Sequence, residues 1–437
     1  MLFDAAVRGV APSPATERSI LPAALDRSRR VWLFAFGKGA HAMAAGAVST
    51  LHRGLQQVVG GLIVAPEMAP PPCATVEVRV GDHPVPGRQS FAAAQRLGEI
   101  VAGKRADDLA VVLISGGASS LLGAPLRGMS ERDISSLYEL LLGSGLDVRA
   151  MNSVRKRFTR WGAGRLSLAL APAGVHCLIM SDVIGDQVAD VGSGPCVPDA
   201  LRASDIVTLL TDHRLWDRLP QAYRDHLAQS QRGSMPETPK ATHPAFAHVV
   251  SRVIASNRIA LAAAAEHAKH LGLAHAQLVE SPFSGDASAT GALLARELVE
   301  RRARSAGGTC CSVRGGETTV RLPDASPARG ARDSRPPMGG RCTELALSAA
   351  RELSNAGDAA DNVALLACGT DGRDGSSDAA GAIVTRHTWS RIIERGLDPD
   401  RMLRQHESHA ALDAAGALVR TGATGTNVAD VVIGVWR

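Results

Sequence analysis

Val31-Trp32-Leu33-Phe34-Ala35-Phe36-Gly37-Lys38-Gly39 is the stretch on which the fold turns. Six residues without a charge run straight into two glycines that bracket a lysine, and an alanine-rich segment, Ala40 to Val48, follows. The pattern predicts a strand, a tight turn and a helix. It recurs at Leu109 to Ile114 before Ser115-Gly116-Gly117-Ala118-Ser119-Ser120, and at Val175 to Met180 before Ser181-Asp182-Val183-Ile184-Gly185-Asp186. A fourth copy is Val363 to Cys368 before Gly369-Thr370-Asp371-Gly372. Short apolar runs that do not alternate suit strands buried on both faces, as in parallel sheets covered by helices, so an α/β fold is expected.

In open α/β sheets ligands bind beyond the carboxyl ends of strands. Each of these ends carries glycine together with serine, threonine, aspartate or lysine. Glycine lets backbone N–H groups close on a ligand, and a following helix N-terminus favours an anion. Strand-to-helix turns need glycine in any case, but four with the same polar chemistry point to a phosphate or carboxylate site. None matches a standard nucleotide fingerprint. The P-loop requires an upstream glycine and a hydroxyl after the lysine, which Phe34 to Ala40 lacks; a Rossmann G-x-G-x-x-G is met only with Ala42 in third place.

The 437 residues allow two or three domains at roughly 100 to 200 residues each. With 45% apolar and 21% charged residues the chain has a globular composition, against global disorder or coiled coil. The formal charge of +5 is small and spread along the chain, and lysine occurs only five times, so there is no nucleic-acid footprint. The scattered seven cysteines form no C-x-x-C pair, which suits a reduced, cytoplasmic protein. No apolar stretch or N-terminal leader suggests a membrane or secreted protein. Gly233 to Pro244 reads as a linker before a helical pattern from Phe246 to Leu271, and Pro323 to Gly340 as a long mobile loop.

The order of motifs resembles that of the glycerate 2-kinase family of the MOFRL type, some members of which carry the older name hydroxypyruvate reductase. Beyond the four glycine turns, the resemblance rests on Gly81-Asp82-His83-Pro84-Val85-Pro86, Asn152 with Val154-Arg155-Lys156, Ser193-Gly194-Pro195, and Pro198-Asp199. It continues through Gly315-Gly316-Glu317-Thr318-Thr319, Gly339-Gly340-Arg341 with Glu344, Asp374, Asp378 to Ala382, and Thr421-Gly422 with Thr424-Gly425-Thr426-Asn427. It covers nearly the whole chain. The resemblance implies a larger Rossmann-like N-terminal domain (1–245), a smaller MOFRL-type α/β domain (246–437) and an active site in the cleft between them. The implied activity is ATP- and Mg2+-dependent phosphorylation of D-glycerate at its 2-hydroxyl.

Phosphoryl transfer needs cationic clamps, backbone donors and a carboxylate-held metal. The lysine and arginine at the motif positions of Lys38 and Arg341 are the family's proposed catalytic residues. Lys38 sits where an ammonium would reach a phosphate or the substrate carboxylate, and Arg341 offers a planar donor fork for the transferring phosphoryl group. Asp186 is expected as the base or a metal ligand, Asp182 and Asp371 as metal ligands, and Glu317 as a further metal ligand or a structural carboxylate, although aspartates also cap helices and form turns. Ser115, Gly116, Gly117 and Ser119 with Gly372, Thr424, Gly425 and Asn427 are expected to cradle the nucleotide phosphates. Arg155 and Lys156 are candidates for the glycerate carboxylate, or equally a solvated helix face.

Four departures from the family pattern flank this site: Cys342-Thr343 after the arginine, Gly162-Ala163-Gly164, Ile184 within the Ser-Asp-Val turn, and His406, Glu407 and His409. They bear on the identity of the 2-hydroxy acid. Alternative readings are an NAD(P)H-dependent hydroxypyruvate reductase, a kinase of another small 2-hydroxy acid, and a catalytically dead anion binder. The last would predict loss of Lys38, Arg341 or the aspartates, and none is lost. No nucleic-acid or membrane partner is expected, and a homodimer is one assembly left open.

Overall fold

The computed structural model describes residues 1–20, 30–273, 275–305, 307–321 and 338–437. Most of the expected loop at Pro323 to Gly340 therefore lies outside the described residues.

Residues Pro12–Ser256 form one unit around six strands: β1 (Arg30–Phe36), β2 (Val58–Ala65), β3 (Val76–Val80), β4 (Asp108–Ile114), β5 (Gly174–Met180) and β6 (Val249–Ala255). Their order is β3-β2-β1-β4-β5-β6, and every pairing is parallel. All seven residues of β4 are buried, as a strand covered on both faces requires. Phe34, Phe36, Val112, Ile114 and Ile179 pack on one face with Leu97 of the helix Arg88–Val101 and Leu166 and Leu170 of the helix Arg165–Leu170. Fully burying such side chains is worth about 1.5–3 kcal/mol each. A second core, around Phe158 and Tyr223, joins the helices Glu131–Leu142, Val148–Phe158, Ala203–Asp212 and Gln221–Gln231.

Met1–Ala11 and Asn257–Arg437 form the other unit. Its strands are β7 (His275–Asp286), β8 (Cys310–Thr319), β9 (Ala364–Gly369), β10 (Gly381–Thr385), β11 (Leu418–Val419) and β12 (Asp430–Trp436), in the order β11-β10-β9-β12-β8-β7. Only β7 and β8 run parallel; the other pairings are antiparallel. The helices Ala287–Ala303 and Arg341–Asn355 pack together through Gly291, where a Cβ would lie 2.1 Å from the Leu345 carbonyl oxygen. The N-terminal helix Leu2–Gly9 lies on the helix Asn257–His270, with Gly9 against Ala263. That contact draws Met1–Ala11 into this unit.

Three details differ from the sequence reading. The division falls between 256 and 257 rather than between 245 and 246. Phe246 to Leu271 is not one helix: Pro244–His248 is a 3-10 turn, Val249–Ala255 is the sixth parallel strand, and the helix begins only at Asn257. Three valines and an isoleucine among the seven residues of that strand favour extended backbone over helix. The fourth glycine-ended run, Val363 to Cys368, forms β9 between two antiparallel neighbours. A central strand covered by helices is buried whichever way its neighbours run, so the apolar run did not encode their direction.

Candidate functional site

The strand order places β1 between β2 and β4, so successive connections diverge at the carboxyl ends of β1 and β4. That is the topological switch point at which open α/β sheets bind ligands. The turns leaving the two strands are stitched together. Ser115 N–H donates to the Phe36 carbonyl (2.9 Å), Lys38 N–H to the Gly116 carbonyl (2.9 Å), and Gly39 N–H to Ser115 Oγ (3.0 Å). A Cβ on Gly37, at φ +120°, would lie 2.2 Å from Ser115 Oγ, so only glycine permits this approach. Ser115 is buried with its hydroxyl engaged in the stitch.

Lys38 is exposed, and no carboxylate pairs with its ammonium among the described residues. A Cβ on Gly117 would lie 3.1 Å from His83 Cδ2 and 3.5 Å from Lys38 Cγ, so imidazole and lysine stem flank one glycine. Partial desolvation, helped by repulsion from Lys38 and Arg155, holds the His83 imidazole below its ordinary range and so neutral at pH 7. A Cβ on Gly116 would lie 2.1 Å from Asp182 Oδ2, so that carboxylate rests against the bare side of the turn. Asp186 closes the Ser181–Asp186 turn at φ +55°, half-buried, its amide donating to the Val183 carbonyl.

Ser119 Oγ bonds Ser193 Oγ (2.8 Å), and the Ser119 carbonyl accepts from the Tyr138 hydroxyl (2.9 Å). The Arg155 guanidinium lies over the Tyr138 ring, 4.6 Å from its centroid. Burial lowers the Arg155 pKa and Tyr138 opposes that shift; burial also pushes the Tyr138 hydroxyl up to about 12. The adjacent Lys156 does not join Arg155. It is 4% exposed, with its ammonium 3.2 Å from Asp199 and 3.8 Å from Asp190. Consecutive helical residues point about 100° apart, and here one turns to the tyrosine and the other into the core. Lys156 is thus a buried cation paired with Asp199 and Asp190.

In the other unit Asp430 opens β12, opposite Gly316 of β8 on one side and Gly369 of β9 on the other. Two glycine motifs and this aspartate share one row. Arg341, the first residue of the helix Arg341–Asn355, grips Asp430 with both Nε (2.5 Å) and Nη2 (3.0 Å), while Nη1 bonds Glu317. Asp430 is 3% exposed, and burial pushes its carboxyl up to about 6 against the pull of Arg341. For Arg341, burial disfavours the charge, but Asp430 and then Glu317 more than offset it and raise the pKa. Glu317 is a partner of Arg341.

Asp374 roots the same helix. Its carboxylate accepts from Cys342 N–H (2.9 Å), Thr343 N–H (2.7 Å) and the Thr343 hydroxyl (2.7 Å). A Cβ on Gly340 would come within 2.4 Å of Asp374 Oδ1, which ties the second glycine of Gly339-Gly340 to this cap. Asp371 Oδ1 accepts from Arg373 N–H (3.0 Å), and the Asp371 carbonyl from Thr424 N–H (3.2 Å). The Thr424 hydroxyl donates to the Thr370 carbonyl (2.6 Å), and Asn427 Oδ1 accepts from Ala429 N–H (3.3 Å). Gly372 packs where a Cβ would lie 2.0 Å from the Gly422 carbonyl oxygen, whereas Gly425, at φ +74°, faces open space. The polar side chains of this expected cradle thus tie its turns together.

Both histidines that depart from the family pattern meet carboxylates: His406 Nδ1 lies 2.8 Å from Glu344, and His409 Nε2 lies 2.8 Å from Asp378. Among the described residues no group of three or more His, Cys, Asp or Glu side chains is arranged to hold a metal, and no helix is long and apolar enough to cross a membrane. Sequence reasoning missed Asp430 and gave no role to His83, although it quoted the His83 motif. Asp430 adjoins its glycine partners only through the register of three strands distant in sequence.

The family described as "Domain of unknown function (DUF4147)" matches residues 1–228, and that described as "MOFRL family" matches residues 310–430. The chain is 33% identical to the glycerate 2-kinase of Pyrococcus horikoshii over 409 residues, covering 93% of this chain and 87% of the relative. It is 35% identical to an Agrobacterium vitis protein provisionally named a hydroxypyruvate reductase, covering 98% of this chain and 92% of the relative. The crystal structure of a glycerate kinase from Thermotoga maritima superposes with a TM-score of 0.84 at 30% identity, covering 100% of this chain and 98% of that one.

Proposed function

The chain belongs to the MOFRL-type glycerate kinase family, and on that premise we propose that it transfers the γ-phosphoryl group of ATP to the 2-hydroxyl of D-glycerate, giving 2-phospho-D-glycerate and ADP. The observation that carries this reading is the switch point itself. The turns after β1 and β4 are locked edge to edge by the amides of Lys38, Gly39 and Ser115, glycines permit that approach, and the Lys38 side chain is exposed beside them with no ion pair among the described residues. A rigid turn that holds a cation at a sheet end is what a transferring phosphoryl group requires, since its catalysis is positioning and charge stabilisation.

On this reading Lys38 neutralises phosphoryl or carboxylate charge, Arg341 stabilises the equatorial oxygens, and Asp186 takes the proton of the 2-hydroxyl as its oxygen bonds to phosphorus and ADP leaves. Arg155, held flat by Tyr138, binds the glycerate carboxylate. The bare side of Gly116 and the carboxylate of Asp182 suit Mg2+, which binds through one or two carboxylates and substrate phosphates. Asp182, with Asp371 as a second candidate, would hold the ion, which supplies neutralisation of phosphate charge when bound.

The test couples ADP release to a panel of 2-hydroxy acids and assigns the product as 2- or 3-phosphoglycerate by phosphorus NMR. A parallel arm follows NADH oxidation with hydroxypyruvate, because the strand order is that of dinucleotide-binding sheets and Glu67 lies two residues beyond the end of β2. ADP release with D-glycerate is expected; hydride transfer without ADP release would overturn the kinase reading.

A further inference from the structure

Asp430 is a buried carboxylate that takes two donors of Arg341, and neither the motif resemblance nor the roles above give it a part. We propose that Asp430 is a positioning residue for phosphoryl transfer, fixing the orientation of the Arg341 guanidinium at the end of the second sheet. The inference rests on the reading of Arg341 as the cation that stabilises the transferring group.

A single hydrogen bond leaves a guanidinium free to swing about it, whereas paired bonds to Nε and Nη2 fix both its plane and its rotation in that plane. The carboxylate that makes them is itself held. Asp430 lies on a central strand paired on both sides, and Asn257 Nδ2 donates to the Asp430 carbonyl (3.0 Å) and to that of Val428 (2.9 Å). Its cross-strand neighbours are both glycines, so no side chain competes for the space, and a Cβ on Gly369 would lie 3.5 Å from Asp430 Oδ1. Glu317 takes a third donor, on Nη1. Of the five N–H groups of a guanidinium, two remain to face a ligand.

Anchoring the helix does not require this clamp, because Asp374 already caps its first turn. A buried ion pair is also weak ground for stability. The distinct consequence of Asp430 is therefore where the two remaining donors of Arg341 point. Misplacing a catalytic cation is felt in turnover more than in ground-state binding.

The experiment compares Asp430→Asn, Asp430→Glu and Arg341→Ala with the intact chain. Asp430→Asn is expected to lower kcat by about 100-fold with KM for ATP and D-glycerate changed by no more than roughly threefold. Asp430→Glu, which keeps the charge but displaces it by one methylene, is expected to recover part of that loss. Millimolar guanidinium should restore part of the rate of Arg341→Ala and none of the rate of Arg341→Ala/Asp430→Asn, since only the former retains the carboxylate that orients it. Equal rescue of both, or near-normal kcat in folded Asp430→Asn, would overturn the proposal. Should Asp430→Asn not fold, Asp430→Glu decides: normal turnover in it sinks the idea. Near-normal turnover in Arg341→Ala would instead remove Arg341 from the reaction, a failure of the underlying reading that is seen before any Asp430 variant is compared.

Discussion

Asp182 Oδ2 stands 2.1 Å from the point that a Cβ on Gly116 would occupy. The glycine after β4 and the aspartate after β5 are thus spatially one feature, though 66 residues apart. Gly116→Ala must displace the carboxylate, which sits at the end of a flexible side chain, so the fold should survive at a cost of about 1–3 kcal/mol. Activity should not survive as well: kcat/KM for Mg-ATP is expected to fall at least tenfold. Steady-state kinetics with thermal denaturation separates the two effects, and an unchanged kcat/KM would detach Asp182 from the nucleotide.

Lys38 is exposed and carries no ion pair among the described residues. Lys38→Ala should therefore shift stability by no more than about 0.5 kcal/mol while turnover drops by orders of magnitude. Near-normal rates would remove Lys38 from the site.

Arg155 and Lys156 separate what looked alike in sequence. Arg155→Ala should raise KM for D-glycerate with little change in KM for ATP, because its guanidinium is presented on the Tyr138 ring. Lys156→Met should instead lower the unfolding free energy by about 3–5 kcal/mol, because it strands two buried carboxylates, Asp190 and Asp199. Denaturant titration and kinetics on both variants check the division; a raised KM in folded Lys156→Met would return that lysine to the substrate.

How much of this was legible follows from the range of the interactions. Three of the four strand ends read from apolar runs are in the parallel sheet, because burial on both faces writes itself into consecutive residues. The β6 strand was read as helix because its neighbours Phe246 and the alanines after Asn257 extend an apolar periodicity across a real break. The row Gly316–Asp430–Gly369 was invisible, since the glycine motifs were plain and the register that sets an aspartate between them was not. The environments of Lys156, Glu317 and Ser115 were equally hidden in the sequence. Each has a partner distant in sequence that engages it: Asp199, Arg341 and Gly39.

The Arg341–Asp430 pair makes stability depend on pH in a defined direction. Burial raises the Asp430 carboxyl to about 6 in the folded chain, above the roughly 3.9 of an unfolded aspartate. The folded state therefore binds the proton more tightly, and the cost of the buried charge is present above pH 6 and relieved as pH falls toward 4. Arg341→Ala removes the compensating cation and should enlarge that cost. The variant's Tm deficit relative to the intact chain is expected to be larger at pH 7.5 than at pH 5; a deficit independent of pH would show that Asp430 is not the group left uncompensated.

Asp374 gives the sharpest test of how the helix start serves Arg341. Its two oxygens accept three hydrogen bonds from Cys342 and Thr343, at the positive end of the helix that begins with Arg341. Asp374→Ala strands the buried amides of the first turn and should cost more than the usual cap loss of about 1 kcal/mol. Asp374→Asn is expected to be little better. An amide group offers one acceptor where the site presents three donors, and its NH2 would face the Thr343 N–H and hydroxyl. Hydrogen exchange at Cys342 and Thr343 should accelerate in both variants, and kcat should fall with it because the first helical residue is the one that carries the guanidinium. Fast exchange with undiminished kcat would mean that Arg341 is placed by its carboxylate partners alone and owes nothing to the cap.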